Sequence, residues 1–360
     1  MAGGLLPPLR HSYRSMFHPP RCPNRACSQH RSPTPEFFIR KGTYWPKCRP
    51  QPVPRFRCRT CDRGFSRQTF RADYHDHKPH LNAALVRFIS SGVGIRQSAR
   101  MLNLSLRCTE LKLRKIGRHL RRLNLNLRSQ LSSEANFHFD ELETYEGQRN
   151  TRPLTLPLLI ESRTRYIVWA ESAPIRPRGR MSKRRLEAIN RSEARFGPRR
   201  DLSRQACLRT LSRGAKLAEG ARTFVLSSDE KSTYPGLARI TWAGKSIVHL
   251  RTNSRVVRDE HNPLFPINHE EAMLRDRMGR LRRRSWLVSK KRRYLDICLH
   301  VHIAMRNLVG KRFHRDSESP AQMLGFVRRR LRVGEILSWR QDWGALSGHP
   351  LNRRGRALAA

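Results

Sequence analysis

The chain has 360 residues, long enough for two or three domains and a substantial apolar core. Its 74 Lys and Arg against 28 Asp and Glu give a formal charge of +46, an excess that repels the compact state and adds nothing to fold stability. That balance disfavours a self-contained enzyme and points to a polyanionic partner, first among them the phosphate backbone of nucleic acid; a ribosomal, RNA-coated protein or an arginine bias of genome composition are the bland readings of the same numbers.

Residues 1–20 are expected to form a disordered basic lead, with Pro7-Pro8 and no apolar period. No secretory signal or membrane span is expected, because the most apolar stretch, Leu154–Ile160, is interrupted by Pro157 and ends at Glu161. A reducing, cytoplasmic and nucleoid-associated location follows, in which eight cysteines read as metal ligands or buried thiols rather than a disulfide framework.

Over 21–70, Cys22-Pro-Asn-Arg-Ala-Cys27 and Cys58-Arg-Thr-Cys61 form two close pairs. Each pair can place two thiolates on one turn, and two facing turns complete a tetrahedral, structural Zn²⁺ site, so Cys22, Cys27, Cys58 and Cys61 predict a zinc ribbon. The first knuckle is looser than the second, and Cys48 and His30 are possible substitute ligands. Phe56 and Phe65 should pack the small core such a module needs.

Residues 78–130 predict a helix-turn-helix DNA-binding domain. Leu85, Val86 and Ile89 mark the inner side of a first helix, and Gly94–Leu102 forms a second. Small Ala99 allows a close crossing, with Ile95, Met101 and Leu102 as apolar contacts. Asn103-Leu104-Ser105 makes the turn, and Ser105 caps a third helix over Leu106–Leu120. That helix carries Arg107, Lys112, Arg114, Lys115 and Arg118, a basic face suited to the major groove. An ordinary three-helix packing unit with a solvated basic face is the alternative.

From 135 to 312 the pattern changes to short β runs: Phe137–Phe139, Leu154–Ile160, Tyr166–Trp169, Phe224–Ser227 and Ile247–Leu250. A basic, partly mobile insertion is expected over about 175–200, a helix near Leu202–Ala218, and closing helices over His269–Arg284 and about Lys290–Val309. In a chain so poor in carboxylates, acids at strand ends are informative. Asp140 lies in the first run and Asp229 just past the fourth. A ribonuclease-H-like sheet sets its first and fourth strands side by side, so the pair would share Mg²⁺ or Mn²⁺ for phosphoryl transfer; a turn carboxylate and an Arg-paired surface acid are the plainer readings. For a third acid, Glu270 and Glu271 border the stripe of Leu274, Met278 and Leu281, and Glu271 is preferred. Asn268 with Glu271 also reads as a capping box. Lys231, Arg275 and the run Arg282–Arg284 would steer DNA or form a solvated face, and Trp286 is expected in the core. Residues 313–360 form a C-terminal extension whose tail after Leu346 is expected to be unstructured.

Together the paired cysteines, strand-borne Asp140, the Asp229-x-x-x-x-Tyr234 spacing and the basic helix Leu274–Ser285 make the chain resemble a bacterial insertion-sequence transposase of the DDE class. The resemblance spans about Cys22 to Val309. It implies an α+β, multi-domain protein: a zinc ribbon, a three-helix helix-turn-helix and a ribonuclease-H-like mixed sheet. It further implies Mg²⁺-dependent strand cleavage and transfer, double-stranded DNA partners (terminal inverted repeats and target DNA), no membrane, and a homo-oligomer on DNA. Asp140 and Asp229 match the family's first two acids. Family members place the third acid one turn before an Asn, as Glu-x-x-Asn, whereas here the order is Asn268-x-x-Glu271. The third ligand has therefore shifted one turn or been lost. The rival functions are a decayed or non-enzymatic sequence-specific DNA-binding protein, and a structure-specific nuclease or RNA-binding protein of the same fold.

Overall fold

Burial separates two groups of side chains along this sequence, one rich in phenylalanine and one in aliphatic residues. The computed structural model describes residues 17–46, 51–126, 134–257, 259–282 and 285–341. They fall into two compact units, one ending at Tyr74 but including Arg340 and Gln341, the other running from His75 to Trp339.

In the first unit a short helix α1 (Ser28–Arg31) precedes three antiparallel strands in the order β1 (Phe38–Tyr44), β2 (Val53–Cys58), β3 (Gly64–Ser66). Alternation along β2 turns Phe56 and Cys58 inward and Arg55 and Arg57 outward. Phe17, Phe37, Phe56, Phe65 and Phe70 pack with three of the cysteines into one cluster. Phe17 thus belongs to a core, although it falls in the segment expected to be disordered; the rest of that lead, to residue 16, lies outside the described residues.

The second unit opens with α2 (Asn82–Ser90), α3 (Ile95–Met101) and α4 (Leu106–Asn126). Asn103 supplies the left-handed residue of the α3–α4 turn, with φ of 48°, and the Ser105 hydroxyl accepts from the Cys108 amide at 3.1 Å, the expected cap. Met101 is exposed, so α3 is anchored by Ala99, Ile95 and Leu102 instead. Then follow β4 (Glu134–Tyr145), β5 (Pro153–Glu161), β6 (Ile167–Ala170), β7 (Ala173–Pro174), α5 (Lys183–Phe196), α6 (Ser203–Leu217), β8 (Thr223–Asp229), α7 (Tyr234–Thr241), β9 (Ser246–Thr252), α8 (Phe265–Arg277), α9 (Arg292–Ala304), a π turn over Met305–Val309, α10 (Pro320–Met323) and α11 (Val333–Ser338).

The main sheet runs β6-β5-β4-β8-β9, with β7 pairing to β5. The first three strands are antiparallel to one another, whereas β8 is parallel to both β4 and β9. First and fourth strands of the set are therefore neighbours, as the order of runs predicts. Parallel pairing demands crossovers, which α6 and α7 provide. These helices cover one face, where Phe137 and Phe224 meet Trp242 and where Gly214 lets α6 approach Leu159 and Phe137. The central β5 is apolar on both sides, the mark of a strand buried on two faces.

Three expectations change. The basic insertion over 175–200 contains an ordered helix, α5, capped by the Ser182 hydroxyl. The helix expected over 269–284 begins at Phe265, with Pro266 in its first turn, and stops at Arg277, because Met278 is extended. The three helices over 78–130 and residues beyond 312 are not bodies of their own: α4 packs its Leu113, Ile116, Leu120 and Leu123 stripe into the core that also holds Val333, Ile336 and Trp339. The tail after Leu346 lies outside the described residues. Among those described, no helix is long and apolar enough to cross a membrane.

Helices α4 and α9 meet at Gly117, where an added Cβ would lie 2.5 Å from Ile297 Cγ2 and 2.9 Å from its carbonyl oxygen. Alanine normally favours a helix interior by about 1 kcal/mol over glycine. Here backbone must move to admit it, so Gly117→Ala should instead destabilise the protein by about 1–3 kcal/mol in urea titration.

Candidate functional site

The cysteine pairs converge. Cys22, Cys27, Cys58 and Cys61 bring their sulfurs within 4.8 Å of one another. The closest approaches are 3.5 Å for Cys22–Cys61 and 3.9 Å for Cys27–Cys58. Four thiolates about 2.3 Å from a tetrahedral zinc stand about 3.8 Å apart, so this set can bind a metal such as zinc. Local backbone builds both knuckles: Asp62, at φ 60°, closes the turn that returns its amide to the Cys58 carbonyl. Burial raises the pKa of Cys22, so this enclosure suits either neutral thiols or a cation that holds thiolates. His30 is not among the clustered ligands; its Nδ1 donates to the Cys22 carbonyl at 2.7 Å. Cys48 lies outside the described residues.

The acid pair is set by strand register. Strands β4 and β8 pair in parallel from Glu134↔Thr223 to His138↔Ser227, and Asp140 and Asp229 each lie two residues further along. Residues two apart on a strand share a face, so both carboxylates project from the face opposite Phe137, Phe139 and Phe224. Asp229 ends its strand, with Oδ1 accepting from the Lys231 amide at 3.1 Å in a tight Asx turn. Asp140 Oδ1 accepts from the Glu141 amide at 2.6 Å. His138, on the Asp140 face, accepts at Nδ1 from the Ser162 hydroxyl and donates from Nε2 to the Pro263 carbonyl. Burial pushes its pKa down to about 4, which keeps the imidazole neutral.

Behind this pair lies a further acid that sequence reading passed over. Glu141 points to the opposite face, where it pairs with Lys231 and accepts from the hydroxyls of Thr155 at 2.7 Å and Tyr234 at 3.2 Å. Burial, then the charges of Glu141, Asp140 and Asp229, raise the Tyr234 pKa, so the phenol stays protonated as a donor. The adjacent Asp140-Glu141 on an alternating strand was the available signal: neighbouring acids there must serve opposite faces. Lys231 is consequently held by Glu141 rather than loose at the surface.

The third acid resolves in part. Glu270 is buried, and Arg306 grips both its oxygens, Nε to Oε2 at 2.9 Å and Nη2 to Oε1. Burial alone would raise its pKa, yet nearby His269, with Nδ1 3.8 Å away, and the hydrogen-bonded Arg306 hold it down to about 2. It is a structural ion pair. Glu271 is half-buried, one turn after buried Ile267. The capping-box reading fails, because Asn268 lies inside α8, its amide bonded to the Leu264 carbonyl. Among the described residues, the four cysteines are the only group of three or more metal-ligating side chains within 4.8 Å of one another, so Asp140, Asp229 and Glu271 do not close to that distance.

On α4, Arg107 and Arg118 are exposed, Arg114 is half-buried, and Lys115 reaches the His75 carbonyl at 3.3 Å. Lys112 departs from the expected basic face. Only 3% exposed, it bonds to Asp76, to Asn82 Oδ1 at 3.1 Å and to the Lys78 carbonyl at 2.7 Å. Position 112 shares the inward side of α4 with Thr109, Leu113 and Ile116, and Asp76 compensates the buried ammonium. Trp286, expected in the core, is 92% exposed, because α8 has ended and Leu281 and Val288 turn inward in its place. Arg282 donates to the Asp276 carbonyl, and Arg283 and Arg284 lie outside the described residues. No protein-family model and no curated protein matches the chain.

Two outcomes follow from these contacts. Metal analysis of the purified protein should find one zinc per chain, and Cys58→Ser should abolish it. Glu270→Gln should cost about 3–5 kcal/mol at pH 7 in urea titration, since it strands a buried guanidinium. Because the folded pKa of Glu270 lies below its ordinary 4.5, its stabilisation is complete above that value and is lost as pH falls through about 2. The gap between wild type and variant should accordingly narrow between pH 4.5 and pH 2.

Proposed function

We propose that the protein is a DDE-class transposase with a ribonuclease-H-like catalytic core, acting on the inverted-repeat ends of an insertion element. One observation carries the reading: Asp140 and Asp229 stand two residues past the last paired positions of adjacent parallel strands, on one face of the sheet. The strand order, three antiparallel and two parallel, is the arrangement that fold requires. The zinc-competent cysteine set and a charge of +46 agree with a protein that grips duplex DNA.

The donor set suits a hard divalent cation: two carboxylates at a strand edge, each with one oxygen oriented by a backbone amide. Asp140 and Asp229 would hold Mg²⁺ or Mn²⁺, with Glu271, not Glu270, as the third ligand from α8. Metal bound there supplies Lewis-acid stabilisation of the phosphoryl oxygens and lowers the pKa of an attacking water or 3′-hydroxyl. The protein's own residues do the positioning. Glu141 and Tyr234 fix Lys231 beside the turn that carries Asp229, and the neutral His138 anchors β4 to Pro263, two residues before α8. Arg107, Arg114 and Arg118 contact duplex DNA, the zinc unit stiffens the N-terminal module, and the active species is a homo-oligomer assembled on DNA.

A second reading has its own support: a decayed element that binds DNA without cutting it. The three acids do not converge within 4.8 Å, and the Asn268-x-x-Glu271 order departs from the family pattern. Nicking of a duplex carrying the element's terminal repeats, with and without Mg²⁺, separates the two. Active protein should lose about 10²-fold or more of its cleavage rate in Asp140→Asn and in Asp229→Asn, as several kcal/mol of transition-state stabilisation disappears. Glu271→Gln should do likewise with unchanged melting temperature. Cleavage that survives both aspartate changes would remove the assignment, and a wild type that binds but never cuts would establish the decayed reading.

A further inference from the structure

Beside the crossing of α4 and α9, at the β6 edge of the sheet, lies a hollow of about 200 Å³. Its lining carries four arginines, Arg118, Arg121, Arg209 and Arg292, against two carboxylates, Glu171 and Asp296. Both carboxylates are already engaged. Glu171 pairs with Arg209 and accepts from the Trp169 indole N–H, while Asp296 accepts from the amide and hydroxyl of Ser172 and lies 3.4 Å from Arg292. Among the described residues, Arg118 and Arg121 have no hydrogen-bond or ion-pair partner.

The remaining walls sharpen the chemistry. Trp169 is buried, with the Arg121 and Arg213 guanidiniums 5.8 and 4.9 Å from its ring centre, so no base can stack on it. His300, 5% exposed, also lines the hollow, and its Nδ1 has no hydrogen-bond partner. Burial, with the charges of Arg121 and Arg213, pushes its pKa down to about 3, so the ring is neutral and has one N–H to give. Nδ1 has almost no accessible surface, so the arginines supply the donors that face the hollow. The Gly117–Ile297 contact makes the floor rigid. Across Trp169, a second hollow is lined by Asn124, Arg213 and Lys216, again basic and without a carboxylate.

We infer that these two hollows take successive backbone phosphates of a DNA strand, with Arg118 and Arg121 as phosphate ligands. The source of the phosphates rests on the DNA-binding reading above, but the anion site does not. Two adjoining cationic hollows favour a polyanion over a lone ion. Arg118 then acts by holding the backbone, not by reading bases, so its contribution is independent of sequence.

The test has two arms, both on the full chain. In the first, duplex DNA binding is followed by fluorescence anisotropy over a range of salt concentrations. Arg118→Gln and Arg121→Gln should each lower the magnitude of the slope of log K against log[salt] by about 0.9, equally for repeat-end and random duplexes, while Arg121→Lys keeps the wild-type slope. In the second, inorganic pyrophosphate should raise the melting temperature of wild type and not of the double variant. Arg118 is exposed and its change leaves the fold intact, which guards against misfolding of the Arg121 variants. Unchanged slopes in folded variants, or a pyrophosphate effect that persists in the double variant, would overturn the site. Pyrophosphate stabilisation lost in the double variant of a protein whose wild type binds no duplex would reveal a free-anion site, overturning the phosphodiester assignment and the DNA reading while retaining the pocket.

Discussion

Parallel pairing of β4 with β8 is the constraint on which the candidate active site depends. Two strands far apart in sequence, joined by a crossover through β5, β6 and α6, are locked in a register that leaves Asp140 and Asp229 equally far beyond the last bonded pair. A slip of one residue on either strand would send one carboxylate to the opposite face, into the layer of Phe137, Phe224 and Trp242. Register is therefore specified by the apolar side of the sheet. The packing of aromatic rings under α6 and α7 is what holds the acids on the other side.

Charge scarcity organises the rest. With 28 acids among 74 bases, each buried carboxylate holds more than one donor. Glu146 pairs with Arg152 and Arg199 and accepts from the Arg292 amide, tying the end of β4 to the basic insertion and the start of α9. Glu270 joins α8 to the π turn through Arg306, and Asp76 neutralises Lys112 under α4. Where the nearby acids are already engaged, as around Arg118, Arg121, Arg213 and Lys216, the surplus positive charge is left for a ligand. A phosphate chain would meet cations whose mutual repulsion it relieves.

Much of this was legible in the sequence wherever the signal was local. Short apolar β-type runs marked five strands, the cysteine spacing marked both knuckles, and Ser105 marked a helix start. Contacts made across the fold were not legible. Lys112 reads as a surface base until Asp76, thirty-six residues away, is seen beneath it. Glu270 and Glu271 are indistinguishable on a helical wheel, and only Arg306 shows that the first is structural. Two misreadings were avoidable: Pro266 already signals a helix beginning earlier than Asn268, and Asp140-Glu141 on an alternating strand already signals acids for two faces.

The central claim, that the carboxylates at 140 and 229 jointly hold one divalent-cation site, is tested most directly by placing Fe²⁺ in that site and adding ascorbate and peroxide, so that hydroxyl radicals cut the polypeptide where the iron sits. The account predicts backbone scission near both positions, suppressed by excess Mg²⁺ and absent in Asp229→Asn. Scission at neither position, or at only one of them with the other untouched, would contradict it.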